Sequence, residues 1–146
     1  MNPLLRAALL CLVLLIVPGC TAGFDRDWKR TASPRQDSFA GRWTGTWRSE
    51  QHRGASGDLR CILIPRKADR YRASFQAGWL CFTSHYGATF QTERKGGEIR
   101  FRGAEDLGWL FGGVYTFEGR ATRGRFQSRY RSGYDHGVFE MTRLPK

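Results

Sequence analysis

The sequence is short of nearly every pattern that advertises chemistry. Its three histidines, His52, His85 and His136, stand without carboxylates at ligand spacing, so no metal is implied. It contains no Gly-x-Ser-x-Gly, no phosphate loop and no pair of acids on one inward face, which leaves an enzyme without support and implies no cofactor. Asp135-His136 follows Gly133 closely, and turn chemistry accounts for that aspartate. No apolar run reaches the ~20 residues of a membrane-spanning helix; the longest, 7–17, has eleven. Acidic residues are also few, 13 Asp plus Glu against 24 Lys plus Arg, a net charge of +11. The length of 146 residues permits one ordinary domain and excludes a long multi-domain enzyme. With 40% apolar and 25% charged residues, a disordered, collagen-like or coiled-coil chain is excluded as well.

What the first twenty residues do contain is an export signal. Residues 1–19 run from a start bearing Arg6, through the apolar stretch 7–17, to Pro18-Gly19, the layout of a cleaved leader. Val17-Pro18-Gly19-Cys20 resembles the lipobox of bacterial lipoproteins. The resemblance implies that Cys20 is the lipid attachment site, carries a diacylglyceryl thioether and becomes the acylated mature N-terminus. The alternative is a plain secretory signal with a cysteine near its end. At ~0.8 kcal/mol per buried methylene, one acyl chain binds marginally and two or more hold stably. Thr21 follows the cysteine where a retention signal would have Asp. In the enteric sorting rule this implies a chain anchored in the outer membrane and facing the periplasm.

Residues 20–38, the lipidated cysteine and a polar segment with only Phe24 and Trp28 as large apolar residues, read as a flexible linker. As a coil it would reach roughly 20 to 25 Å. The other eighteen aromatics lie in 39–146, which must hold the core. There the apolar period is two, broken by glycine-containing turns, and predicts eight antiparallel strands near 41–49, 57–64, 71–79, 85–92, 99–102, 111–118, 125–131 and 137–143. No segment carries a helical stripe. The fold class is all-β, a single eight-stranded antiparallel up-and-down barrel, because closure removes unpaired edges. A two-sheet sandwich is the alternative.

Phe39-Ala40-Gly41-Arg42-Trp43 opens the first strand, and parity puts Arg143 on the inward face of the last with Phe139 and Met141. This resembles the lipocalin and calycin barrels, where a Gly-x-Trp starts the barrel and a terminal Arg packs over the indole. The resemblance implies structural roles for Trp43 and Arg143, with stacking worth about 2 kcal/mol when desolvated. It departs from the lipocalin pattern between strands six and seven and lacks room for a C-terminal helix, so architecture carries over and the ligand does not.

Cys61 and Cys81 face an oxidising compartment that favours a disulfide. With Cys61 opposite about residue 74, however, Cys81 lies roughly 23 Å along the strand, against a limit near 7 Å; two buried free thiols are the other outcome. Arg42, Arg48, Arg60, Arg72, Arg100, Arg102, Arg125, Arg129 and Arg131 fall on outward faces. They make either a basic wall for an anionic envelope component or a compositional bias, since 20 of the 24 cations are arginine. Nucleic acid is the wrong partner for an exported chain. The inward faces are aromatic, relieved by Gly45, Ala73, Ala77, Ala88, Gly113 and Ser128. They suggest a non-enzymatic protein holding a small apolar or amphipathic ligand against Tyr71, Phe75, Trp79, Tyr115 and Tyr130. The competing class is an envelope interaction module that works through its outer wall.

Overall fold

The alternation resolves into eight strands in a computed structural model that describes residues 18–32 and 38–144. They are β1 (Gly41–Ser49), β2 (Ser56–Pro65), β3 (Arg70–Trp79), β4 (Phe82–Lys95), β5 (Glu98–Asp106), β6 (Val114–Thr122), β7 (Arg125–Arg131) and β8 (His136–Arg143). Each runs antiparallel to the next, and β8 returns to β1 from Trp43 opposite Arg143 to Ser49 opposite Gly137. The result is a closed up-and-down barrel, and the sandwich is set aside. We call the end where the chain enters β1 the lower end. Connections β2–β3, β4–β5 and β6–β7 lie there; the other four hairpin connections lie at the upper end.

One strand starts later than its alternation predicts. Phe111 sits in a 3-10 turn, Trp109–Phe111, and is 64% exposed. Gly112 and Gly113 follow at φ 97° and 73°, a left-handed region that glycine enters cheaply, and they postpone β6 to Val114.

The inward faces meet as stacked rings. Phe39, just before β1, closes the lower end with its centroid 5.2 Å from Phe101 and 5.0 Å from Tyr71. Above it Phe101 meets Phe126 at 4.7 Å and Phe90 at 4.9 Å. Higher still, Phe75, Phe117 and Phe139 pack at 5.5 to 6.1 Å. At the lower end Trp43 donates from Nε1 to the Phe39 carbonyl at 3.1 Å. The Arg143 guanidinium carbon lies 4.8 Å from the Trp43 ring centroid, and its Nη2 donates to the Ala40 carbonyl at 2.9 Å.

The flexible linker expected over residues 20–38 is corrected over its first part. The chain forms a helix, α1 (Pro18–Arg30), that lies on the barrel's outer face. Its cause is legible in hindsight: Phe24 and Trp28 are four apart, which puts them on one helical face, and their rings stack at 5.8 Å. Phe24 is buried against His85 at 5.6 Å. The Arg60 guanidinium lies over both rings, and Arg42 lies 5.7 Å from Trp28. Ile62, an outward residue next to Arg42 in register, is buried in this patch. Residues 33–37, the rest of the expected linker, and the leader residues 1–17 lie outside the described residues; of Cys20 only the backbone is described.

A chain of polar contacts runs under α1. Arg60 donates to Asp25 Oδ1 at 2.7 Å and from Nε to Gln76 Oε1 at 2.6 Å, while Gln76 Nε2 donates to His85 Nε2 at 2.9 Å. That last bond needs the neutral ring with its proton on Nδ1. Burial lowers the His85 pKa from its ordinary 6.5; Asp25 opposes the shift and Arg60 adds to it.

A group whose folded pKa is depressed in this way takes up a proton first in the undocked chain, so docking of α1 holds above about pH 6.5 and weakens below it. Hydrogen exchange of the α1 amides should accelerate relative to the barrel between about pH 7 and about pH 5.5, and His85→Gln should abolish that difference. Equal relative protection at both pH values in the unmodified protein would contradict the arrangement.

Candidate functional site

The five residues read as ligand contacts do not gather round one cavity. Tyr71 is at the lower end against Phe39. Trp79 is on the upper rim, 49% exposed. Phase and register do bring the other three together: Tyr115 stacks on Tyr130 at 6.3 Å, and both reach Phe75 through Phe117 and Phe139.

The rings themselves occupy the lumen. Small residues on the inner faces, Gly103 and Gly119 beside the expected Gly45, are where neighbouring groups press in, whereas Gly113, expected inward, lies in the turn before β6. A Cβ on Gly119 would lie 2.7 Å from the Phe101 ring, one on Gly103 2.7 Å from Phe90, and one on Gly45 1.9 Å from the Glu140 carbonyl. Ser128 fills its place by donating to the Glu118 carbonyl at 3.1 Å. Burial loosens chiefly near the upper end, where Trp47, Ala77, Tyr86 and Tyr115 are half-buried against the core; at the lower end Tyr71 is half-buried too.

The upper loops are tied by a polar knot. Asp135 accepts from Tyr130 Oη at 2.8 Å, from Ser49 Oγ at 2.6 Å and from its neighbour's backbone at His136 N at 2.9 Å. Ser49 Oγ in turn accepts from the amides of Gln51 and His52. Burial first, and the adjacent carboxylate second, push the Tyr130 hydroxyl well above its usual pKa. A tyrosine held neutral and a carboxylate accepting three hydrogen bonds make a joint between β1–β2 and β7–β8. The two cysteines are free thiols. Cys61 is buried inside, its pKa raised by that burial, and Cys81 is exposed on the β3–β4 turn, so only one of the pair matches the buried-thiol expectation.

Surface charge is distributed differently from the basic wall that parity suggested. Arg42 and Arg60 lie under α1. Arg72 pairs with Glu105, Arg100 and Arg120 with Glu98, and Arg129 with Glu50. Two transverse rows of outward side chains, one through Arg100 and Arg120, the other through Arg102, Glu118 and Arg129, flank a trough of about 980 Å³ whose floor is the backbone from Phe101 to Phe139. Five acids line it beside four arginines. Arg48, Arg102 and Arg131, also outward and exposed, form no ion pair among the described residues, so part of the excess stays on the wall.

Seven further cations gather around the three lower turns. Arg66, Lys67 and Arg70 around β2–β3, Arg94 and Lys95 at β4–β5, and Arg123 and Arg125 at β6–β7 are all exposed. None of the seven forms an ion pair among the described residues. Counting strand faces missed most of them because they sit in turns or at strand ends beyond the predicted strands. The signal was the topology: alternate turns of an up-and-down barrel share an end, and these three are the basic ones.

The upper end is the opposite in character. Among the described residues, every exposed large apolar side chain except Ile64 is there. Trp79, Leu80 and Phe82 are on the β3–β4 hairpin, Trp109, Leu110 and Phe111 on the 3-10 turn, with Val114 and Tyr134 beside it. Leu80 is held outward with φ 54°, unusual for a residue with a side chain.

Removing the acceptor at the centre of the knot should be costly. Asp135→Ala leaves the Tyr130 and Ser49 hydroxyls without their partner, and urea unfolding should show a loss of about 1–3 kcal/mol. A change below about 0.5 kcal/mol would mean that water replaces the carboxylate.

Two crystal structures of mutants of the fluorescent protein UnaG are similar to the chain, with TM-scores of 0.40 and 0.41 and 10% identity. Each comparison covers 74% of this chain and 97% of the other. No protein-family model and no curated protein sequence matches it.

Proposed function

We propose that the protein is a lipid-anchored, non-enzymatic binding module of the cell envelope that works through its surface. In this reading Cys20 carries the acyl anchor in the outer membrane, and the lower end of the barrel engages an anionic envelope polymer. The observation that carries it is the set of seven exposed cations, unpaired among the described residues, brought to one end by three successive turns. Cations left without carboxylate partners keep their full field for an external polyanion. The filled lumen supports a surface role over an enclosed one, and nothing in the knot around Asp135 offers a nucleophile or a poised base.

A small apolar or amphipathic ligand is a second reading, favoured by the half-buried Trp47, Ala77, Tyr86 and Tyr115 beneath the upper rim. Native mass spectrometry of the protein from its own host should then show a co-purifying small molecule, and bare protein would remove this reading.

The polymer reading is tested with the full chain and isolated cell-wall sacculi. Near an anionic surface a cation contributes about 1 kcal/mol, so Arg66→Gln, Lys67→Gln, Arg123→Gln and Arg125→Gln together should weaken retention about 10³-fold at low salt. Retention of the unmodified protein should fall away as salt approaches about 1 M, where the screening length is about 3 Å. Retention indifferent to both changes would reject the polymer as partner.

A further inference from the structure

We infer that the upper end of the barrel docks on the surface of a phospholipid bilayer, seating the apolar side chains of the β3–β4 hairpin and the 3-10 turn at the headgroup boundary. The first support is segregation. Scattered single apolar residues on a surface are ordinary, but here the exposed Trp, Leu and Phe side chains share one end of the molecule. Their chemistry is that of an interface: tryptophan and tyrosine favour the headgroup level, while leucine and phenylalanine favour the acyl boundary.

The second support is that the turn presenting them is built. Phe111 N and Gly113 N both donate to the Gly108 carbonyl, at 3.0 and 2.9 Å, and Gly108 N donates to Asp106 Oδ1 at 2.8 Å. Gly133 N reaches across to the Gly112 carbonyl at 3.1 Å, fastening this turn to the β7–β8 connection. Trp47 Nε1 donates to the Gly78 carbonyl at 2.8 Å and holds the β3–β4 hairpin to β1. Apolar side chains held outward by such a framework cannot retreat into the core.

The third support is the course of α1. Trp28 touches Arg42, one residue into β1 from the lower end, whereas Phe24 touches His85, three residues from the upper start of β4. Followed toward its N-terminus, the helix therefore climbs to the apolar end. Cys20 lies one turn beyond Phe24, about 6 Å at 1.5 Å per residue. A helix docked on the wall cannot act as a long tether, so a membrane that holds acyl chains on Cys20 lies close to that rim. This last step rests on the anchor reading above; the segregation and the built turn do not.

The test uses the full chain in phosphatidylcholine vesicles, with and without bromine on the lipid acyl chains, which quenches nearby tryptophan. Brominated vesicles should quench the unmodified protein, and in the double variant Trp79→Phe, Trp109→Phe the quenched fraction should fall about twofold or more. Should that variant fail to fold, Leu80→Ser with Leu110→Ser keeps every tryptophan and should lower the quenching likewise. Equal quenching in variant and unmodified protein overturns docking, as does none in either. Self-association through the rim with no quenching overturns it too, making the rim a contact between copies. Intact mass from the host separates the two readings. An acylated chain with variant-independent quenching leaves the anchor and removes docking; an unacylated chain with variant-dependent quenching does the reverse.

Discussion

Closure of β8 onto β1 is the constraint from which the rest of the molecule follows. Eight strands enclose an interior just wide enough for side chains, and this chain supplies rings from seven of the eight strands. Phe39 enters from below, and Phe101, Phe126, Phe90, Phe75, Phe117 and Phe139 stack above it at centroid distances of 4.7 to 6.1 Å. Rings of that size at that spacing leave no free lumen among them. The glycines on the same faces, Gly103 and Gly119, therefore give way to a neighbour's ring. A barrel packed in this way is a rigid body with two ends and a wall, and its binding capacity moves outward.

Topology then decides what each end is. In an up-and-down barrel the odd and even connections emerge at opposite ends, so the composition of alternate turns becomes the composition of a surface. Basic residues occupy the three lower turns, and aromatic and aliphatic residues occupy the β3–β4 and β5–β6 connections above. On the wall between them Glu98 and Glu50 take up Arg100, Arg120 and Arg129, while Arg102 forms no ion pair among the described residues. Seven of the cations behind the net charge of +11 thus gather at one end.

The strands were legible because alternation is local: Phe126, Ser128 and Tyr130 face in while Arg125, Gln127, Arg129 and Arg131 face out, and two-residue parity suffices to say so. The start of β6 was not, because Phe111 keeps the parity of Tyr115 and Phe117 while two left-handed glycines break the strand between them. Helix α1 was missed for a different reason. Phe24 and Trp28 make a stripe of only two residues, and the helix depends on Arg42, Arg60 and His85, which are distant in sequence. Whether the lumen is open or filled was equally out of reach, since it turns on where Phe90 and Phe101 lay their rings against Gly103 and Gly119. The basic end could have been read: a predicted up-and-down order, applied to 66–70, 94–95 and 123–125, gathers seven cations without any structure.

The two ends also have to serve different partners, and distance decides it. Strands of about ten residues rise about 33 Å along their own direction, or about 25 Å along the axis of a barrel whose strands tilt by about 40°. The Debye length at physiological salt is about 8 Å. With the apolar rim on a bilayer, the lower turns stand about three screening lengths from its headgroups, where the attraction of a cation to an anionic lipid has largely vanished. Arg66, Lys67, Arg123 and Arg125 cannot then hold the protein to the membrane on which its other end rests. Charge kept that far from the lipid is available to a polyanion on the far side, and a rigid, filled barrel is the kind of spacer that keeps the two surfaces apart.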